Sequence, residues 1–192
     1  MKIKLKAKDL IYAGAFAALY IVLMLVLITV TAVVPITFIL RPLIVGMIGA
    51  TVYMLYVSKV RKFGAILILG VLFAIVSASN SMIAFASSII FAVLAELLCR
   101  SGKYESRRRM AMSYWVFNLN MIAPYLILVY AKPEYIAMVE TYSGAEYAQA
   151  MDALTPSWII FVLAALAVGG AIIGTMLSDQ IMKKHFEKAG LV

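Results

Sequence analysis

Long apolar spans alternate with short polar clusters along this chain, and the alternation predicts a bundle of membrane-crossing helices. Six spans follow from it, at about residues 10–34, 36–57, 63–76, 82–99, 110–130 and 157–177. The stretch KDLIYAGAFAALYIVLMLVL from Lys8 to Leu27 leads from a basic start into the first of them. Ala13 and Ala17 lie four apart there, with Gly14 and Ala18 beside them, so one helical face is nearly flat. In lipid, apolar area gives helices little drive to associate, and close approach across small residues takes its place. The flat face therefore reads as a docking surface, for another helix of the chain or for another protein.

Pro35 and the pair Arg41-Pro42 interrupt the apolar run between the first two spans. The third span holds 14 residues, Phe63 to Val76. At 1.5 Å per residue it reaches roughly 21 Å, short of a ~30 Å hydrocarbon core. The polar run Ser77-Ala78-Ser79-Asn80-Ser81 is thus expected at or below the membrane surface, where polar groups need protein partners or a wet cavity. Residues 131–156 form the only long loop. Tyr135, Met138 and Tyr142, then Tyr147, Met151 and Leu154, recur at helical spacing on either side of Ser143-Gly144. They predict two short amphipathic helices lying over one membrane face. Thr155-Pro156 reads as the start of the last helix, with threonine as its cap. That helix carries Gly170 and Gly174 in a small-xxx-small pattern, near Ala167.

Composition agrees with the pattern: 65% of residues are hydrophobic and the mean hydropathy is +1.02. We read the chain as an all-α integral membrane protein forming a single membrane domain over 1–192. The N-terminus lacks the features of a cleaved signal peptide, so the first helix is expected to be retained. With the N-terminus inside, 15 of the 17 lysines and arginines fall on inner segments, and only Arg41 and Lys132 fall outside. This distribution predicts cytoplasmic N- and C-termini. The net charge of +8 lies in clusters between spans, which suits topology control and contact with anionic lipid better than nucleic-acid binding.

Enzyme signals are nearly absent. There is no P-loop, the one histidine, His185, lies in the tail, and Asp9 and Asp179 sit at span ends. We expect no catalytic residue, no metal and no cofactor, and any ATP hydrolysis in separate subunits. Chemistry gathers instead on the outer half. Arg41 reads either as an arginine snorkelling to lipid headgroups or as a cation that meets an anionic ligand. Ser79 and Asn80 suit helix caps or ligand contacts. Asn118 and Asn120 lie inside the fifth span on different faces, where an amide is costly unless paired. Helix–helix hydrogen bonding is the plain reading of each. Pro124 frees the Asn120 carbonyl and is expected to open that helix locally. Tyr125 and Trp158 read as interface-belt aromatics or as rings that stack on a ligand. Glu96 and Arg100, four apart, are expected to pair near the inner surface.

The leader KLKAKDLIYAGAFAALYIVL, VYMLYVSKVRKFG, LAELLCRSGKY and the ending KKHFEKAG together resemble the Trep_Strep (MptD-type) integral membrane proteins. That family is regarded as substrate-binding S components of energy-coupling factor (ECF) transporters. The resemblance implies a six-transmembrane-helix bundle in a bacterial cell membrane that captures a small nutrient from outside. It also implies partners: a transmembrane coupling subunit and two ATP-binding cassette ATPases. Docking in S components typically uses an AxxxA pattern on helix 1, which maps here onto Ala13 and Ala17 with Gly14 and Ala18 adjoining. Their pocket typically lies in the outer halves of helices 4 to 6 and the outer loops. In this chain those regions hold Arg41, Ser79, Asn80, Asn118, Asn120, Tyr125 and Trp158. The alternative function is a stand-alone secondary carrier or channel, although no ionisable pair marks a midplane site.

Overall fold

A computed structural model describes residues 7–79 and 81–182, so Asn80, His185 and the rest of the tail lie outside the described residues. All regular structure among them is helical: α1 (Ala7–Thr31), α2 (Pro35–Lys59), α3 (Ala65–Ala78), α4 (Met82–Ser101) and α5 (Arg107–Asn118). A 3-10 segment (Leu119–Leu126) follows, then α6 (Ile127–Tyr130), α7 (Lys132–Ser143), α8 (Ala145–Leu154) and α9 (Ile159–Ile181). Five helical stretches are long and apolar enough to cross a membrane, namely α1, α2, α4, the run Arg107–Tyr130 and α9. The apolar α3 is shorter, 14 residues like the predicted third span but two residues further along, so that Ser77 and Ala78 lie within the helix rather than beyond it.

Local chemistry sets the helix boundaries. Pro35 opens α2 at its first turn, where a missing N–H costs nothing. Gly64 precedes α3 with φ at +96°, a left-handed conformation that only glycine adopts freely. Ser81 caps α4, its hydroxyl accepting from the Ala84 N–H at 3.0 Å. Gly144, with φ at +86°, turns the chain between α7 and α8. Pro124 lies within the 3-10 segment, so the fifth span tightens there instead of opening as expected.

The second proline has a different outcome from the expected interruption. Pro42 lies inside an unbroken α2, and its missing N–H leaves the Phe38 carbonyl without its helical donor. The Tyr125 hydroxyl donates to that carbonyl at 2.5 Å, so a residue from the other side of the bundle repairs the helix.

Small residues form the seams. A Cβ on Gly170 or Gly174 would overlap the backbone of α2 at Leu43 and Gly46, and one on Gly46 would meet the Ala171 nitrogen at 2.7 Å. The glycine pattern of the last helix thus packs α9 onto α2, as small-residue seams do in lipid. Gly70 similarly admits Ala92 between α3 and α4. Aromatic rings fill the centre. Phe117 lies 5.2 Å from Tyr53, 6.0 Å from Tyr20 and 6.4 Å from Phe73, centroid to centroid.

One end of the bundle is tied by charges. Lys62 pairs with Asp9, and Arg107 with Asp179 at 2.9 Å. The expected Glu96–Arg100 pair is not among the ion pairs of the described residues. The Arg100 guanidinium lies 5.2 Å over the Phe63 ring, while Glu96 turns inward. Its carboxyl group accepts from the Leu67 N–H at 3.1 Å and from the Tyr104 hydroxyl at 2.5 Å. Glu96 therefore caps α3, where the unpaired N–H groups and the positive end of the helix dipole both favour it. Burial and the hydrogen bond to Glu96 hold the Tyr104 phenol above its ordinary pKa.

Two further expectations change at the other end. Thr155 does not start the last helix: its hydroxyl donates back to the Met151 carbonyl at 2.7 Å, and α9 begins at Ile159. In α7 the inward residues are Tyr135, Ile136 and Val139, whereas Met138 and Tyr142 are exposed. The stripe predicted for α8, Tyr147, Met151 and Leu154, does pack inward.

Candidate functional site

The site is built around Arg41 in the second turn of α2. The side chain is 7% exposed and turns toward α1. Its Nε donates to the Thr31 hydroxyl at 2.9 Å and its Nη2 to the Ile28 carbonyl at 3.3 Å. Both acceptors lie in the last turn of α1, where carbonyls lack helical partners and the dipole is negative. The guanidinium thus closes the end of α1. It also stacks over Phe38, one turn earlier on its own helix, with Cζ 4.2 Å from the ring centroid.

Further aromatic groups gather at this end. Phe38 meets Tyr125 edge-on at 4.9 Å. The hairpin α7–α8 brings Tyr135 and Tyr147, and the Tyr147 hydroxyl donates to the Ala32 carbonyl at 2.8 Å, pinning α8 to the turn between α1 and α2. Burial raises the phenol pKa of both Tyr135 and Tyr147, and the positive charge of Arg41 pulls each the other way. Lys132 bonds Asp152 at 2.8 Å and ties the hairpin together. An open cavity of about 290 Å³ lies at its edge, lined by Pro35, Ser143, Glu146, Tyr147 and Ala150.

The charge of Arg41 is incompletely answered. Among the described residues the ion pairs are Asp9–Lys62, Asp179–Arg107 and Asp152–Lys132, and none involves Arg41. A helix C-terminus supplies roughly half an elementary charge. The two bonds to α1 leave further guanidinium N–H groups to donate.

The other candidates separate. Asn118 is buried and donates through Nδ2 to the Pro42 carbonyl at 3.1 Å and the Ala167 carbonyl at 2.8 Å. It joins α5 to α2 and α9, and its Oδ1 has no partner. Asn120 is 1% exposed, and neither amide atom has a partner. Tyr125 belongs to the Arg41 cluster. Ser79 is exposed and closes α3, its hydroxyl donating to the Val76 carbonyl at 2.8 Å. Trp158, 58% exposed at the start of α9, stands apart from the cluster.

Sequence reasoning passed over Phe38, whose signal was its place three residues before Arg41, and Thr31, which offered none. On α1 the small residues divide. Ala13 and Ala17 are fully buried against the chain's own helices. Gly14 and Ala18 are exposed, and a Cβ on Gly14 would meet nothing within 4 Å. No group of three metal-ligating side chains occurs among the described residues.

These features define a multi-pass helical membrane protein with a buried cation and a ring of aromatic groups at one end. The chain belongs to the Trep_Strep family, described as hypothetical bacterial integral membrane proteins, whose model matches residues 7–188. No curated protein and no solved structure matches it.

Proposed function

We propose that this protein is the substrate-binding membrane subunit, an S component, of an ECF-type ATP-driven importer, and that its solute is a small organic anion. The observation that carries the reading is Arg41: buried, stacked on Phe38, and without a carboxylate partner among the described residues. A carboxylate or phosphate on the solute supplies the missing charge through the N–H groups left over from the α1 bonds. Phe38, Tyr125, Tyr135 and Tyr147 offer flat apolar walls with polar tips, as small-molecule sites commonly do. The α7–α8 hairpin covers this end and separates the bound solute from water.

The remaining parts of the proposal follow from charge and exposure. Lysine and arginine cluster at the end opposite Arg41, which favours a six-helix arrangement with both termini cytoplasmic and the site facing outward. The coupling subunit docks on the exposed face of α1 at Gly14 and Ala18, with ATP hydrolysed by two partner ATPases. Ala13 and Ala17 support that face from behind by letting α1 approach its neighbours closely.

The test of docking is Ala18→Trp, purified from native membranes beside the wild-type protein. The expected result is loss of the coupling subunit and ATPases with full retention of the small molecule. Undiminished recovery of the partners would remove α1 from the docking surface.

A further inference from the structure

Asn120 differs from Asn118 in that both of its amide atoms, not one, lack a partner. Its amide is 1% exposed, and neither Nδ2 nor Oδ1 has a hydrogen-bond partner. A buried amide with nothing to bond is rare, because the lost hydration is not replaced. Leucine, close to asparagine in size, would fill the same space without that penalty.

The surroundings of Asn120 follow from its neighbours. The 3-10 segment packs against α4, α9 and α2. Asn118, two residues earlier, addresses α2 and α9 through the Pro42 and Ala167 carbonyls. Two residues turn a 3-10 helix through roughly 240°, which turns Asn120 away from the carbonyls that Asn118 meets, on a segment that packs on α4 as well as α9 and α2. Gly70 fixes the depth, since a Cβ there would touch both Ala92 on α4 and Phe117 on α5. About one turn beyond that level lie Ser88 on α4 and Asn120. Ser88 is fully buried and spends its proton on the Ala84 carbonyl at 2.8 Å, so its oxygen is left as an acceptor. Asn120 thus brings a donor and an acceptor without partners to the packing against α4, and Ser88 on that helix keeps acceptor capacity on its oxygen.

We infer that Asn120 reads a neutral polar edge of the solute that Arg41 anchors, one that offers a donor and an acceptor side by side. The solute is then an organic anion that also carries a carboxamide, ureide or pyrimidinone-like edge. This inference rests on the reading of Arg41 as the anion anchor. Asn120 pairs its amide with that edge, as asparagine does with the donor–acceptor edge of a base, while Ser88 accepts one further N–H.

The test compares wild type, Asn120→Leu and Arg41→Ala, each purified from native membranes. The probe is the small molecule released from the wild-type protein by heat and assigned by high-resolution mass spectrometry. The expected wild-type molecule is a nitrogen-containing organic anion, at least tenfold less abundant per protein in Asn120→Leu. Once stripped of it, Asn120→Leu is expected to melt at or above the wild-type temperature, because leucine removes an unanswered amide. A lower melting temperature would show that the amide is bonded within the empty protein, and would overturn the inference. Wild-type occupancy in Asn120→Leu with loss in Arg41→Ala would also overturn it, while leaving the anion anchor standing. Full occupancy in Arg41→Ala, or no released molecule from wild type, would overturn the underlying reading and this inference with it.

Discussion

Glu96 and Arg41 are both ionisable, both buried and both placed at the end of a helix, yet the chain treats them differently. Glu96 caps the N-terminus of α3, and both of its oxygens accept hydrogen bonds from the protein. Arg41 closes the C-terminus of α1, but among the described residues only a carbonyl, a hydroxyl and the Phe38 ring answer it. The first site is complete without a ligand. The second has cation and donors to spare, beside aromatic walls and under a hairpin. Burial of a charge alone therefore does not mark function here. The proposed site is set apart instead by a buried polar group whose partners the described residues do not supply.

Substitutions at the two ends sharpen this contrast. Glu96→Ala is expected to have the largest effect, since it orphans the Leu67 N–H and the Tyr104 hydroxyl, each worth about 1–3 kcal/mol when buried. Thermal melting in detergent should show a stability loss of about 2–5 kcal/mol. Solute bound per folded molecule should not change, and its loss would mean that the two ends are coupled. Arg41→Ala should show the reverse balance. Solute affinity is expected to fall roughly 100-fold, the value of a charge-assisted contact of about 2–3 kcal/mol. Folding stability should drop by about 1 kcal/mol with the loss of the α1 closure. A melting change as large as that of Glu96→Ala would make Arg41 a structural residue. Tyr125→Phe lies lowest. It leaves the Phe38 carbonyl without a donor beside Pro42, at about 1–2 kcal/mol of stability, and keeps the ring that faces Phe38. Solute binding should weaken less than in Arg41→Ala, and an equal loss would show that the hydroxyl itself holds the solute.

The features that the sequence revealed were local ones. Pro35, Ser143-Gly144 and the glycines of the last helix each act within a few residues or along one face, and each does what its chemistry requires. The short third helix was likewise readable from its length. Long-range pairings were hidden. Nothing near Glu96 in sequence announces that it caps a helix 29 residues away, and the pairing with Arg100 looked adequate at helical spacing. Pro42 looked like an interruption because its repair comes from Tyr125, 87 residues on from Phe38. At the site, Arg41 stood out by its charge among apolar residues. The difference between Asn118 and Asn120 was invisible, since one finds carbonyls on two other helices and the other finds none. The flat face of α1 was legible as a face, but half of it serves the chain's own packing.

The central claim is that the unanswered charge of Arg41 belongs to a solute. The most direct test is to purify wild type and Arg41→Ala from native membranes in mild detergent and quantify the small molecules and proteins carried by each. The account predicts an organic anion on wild type and not on Arg41→Ala, with a coupling subunit and two ATPases on both. The same anion at equal occupancy on Arg41→Ala would contradict it.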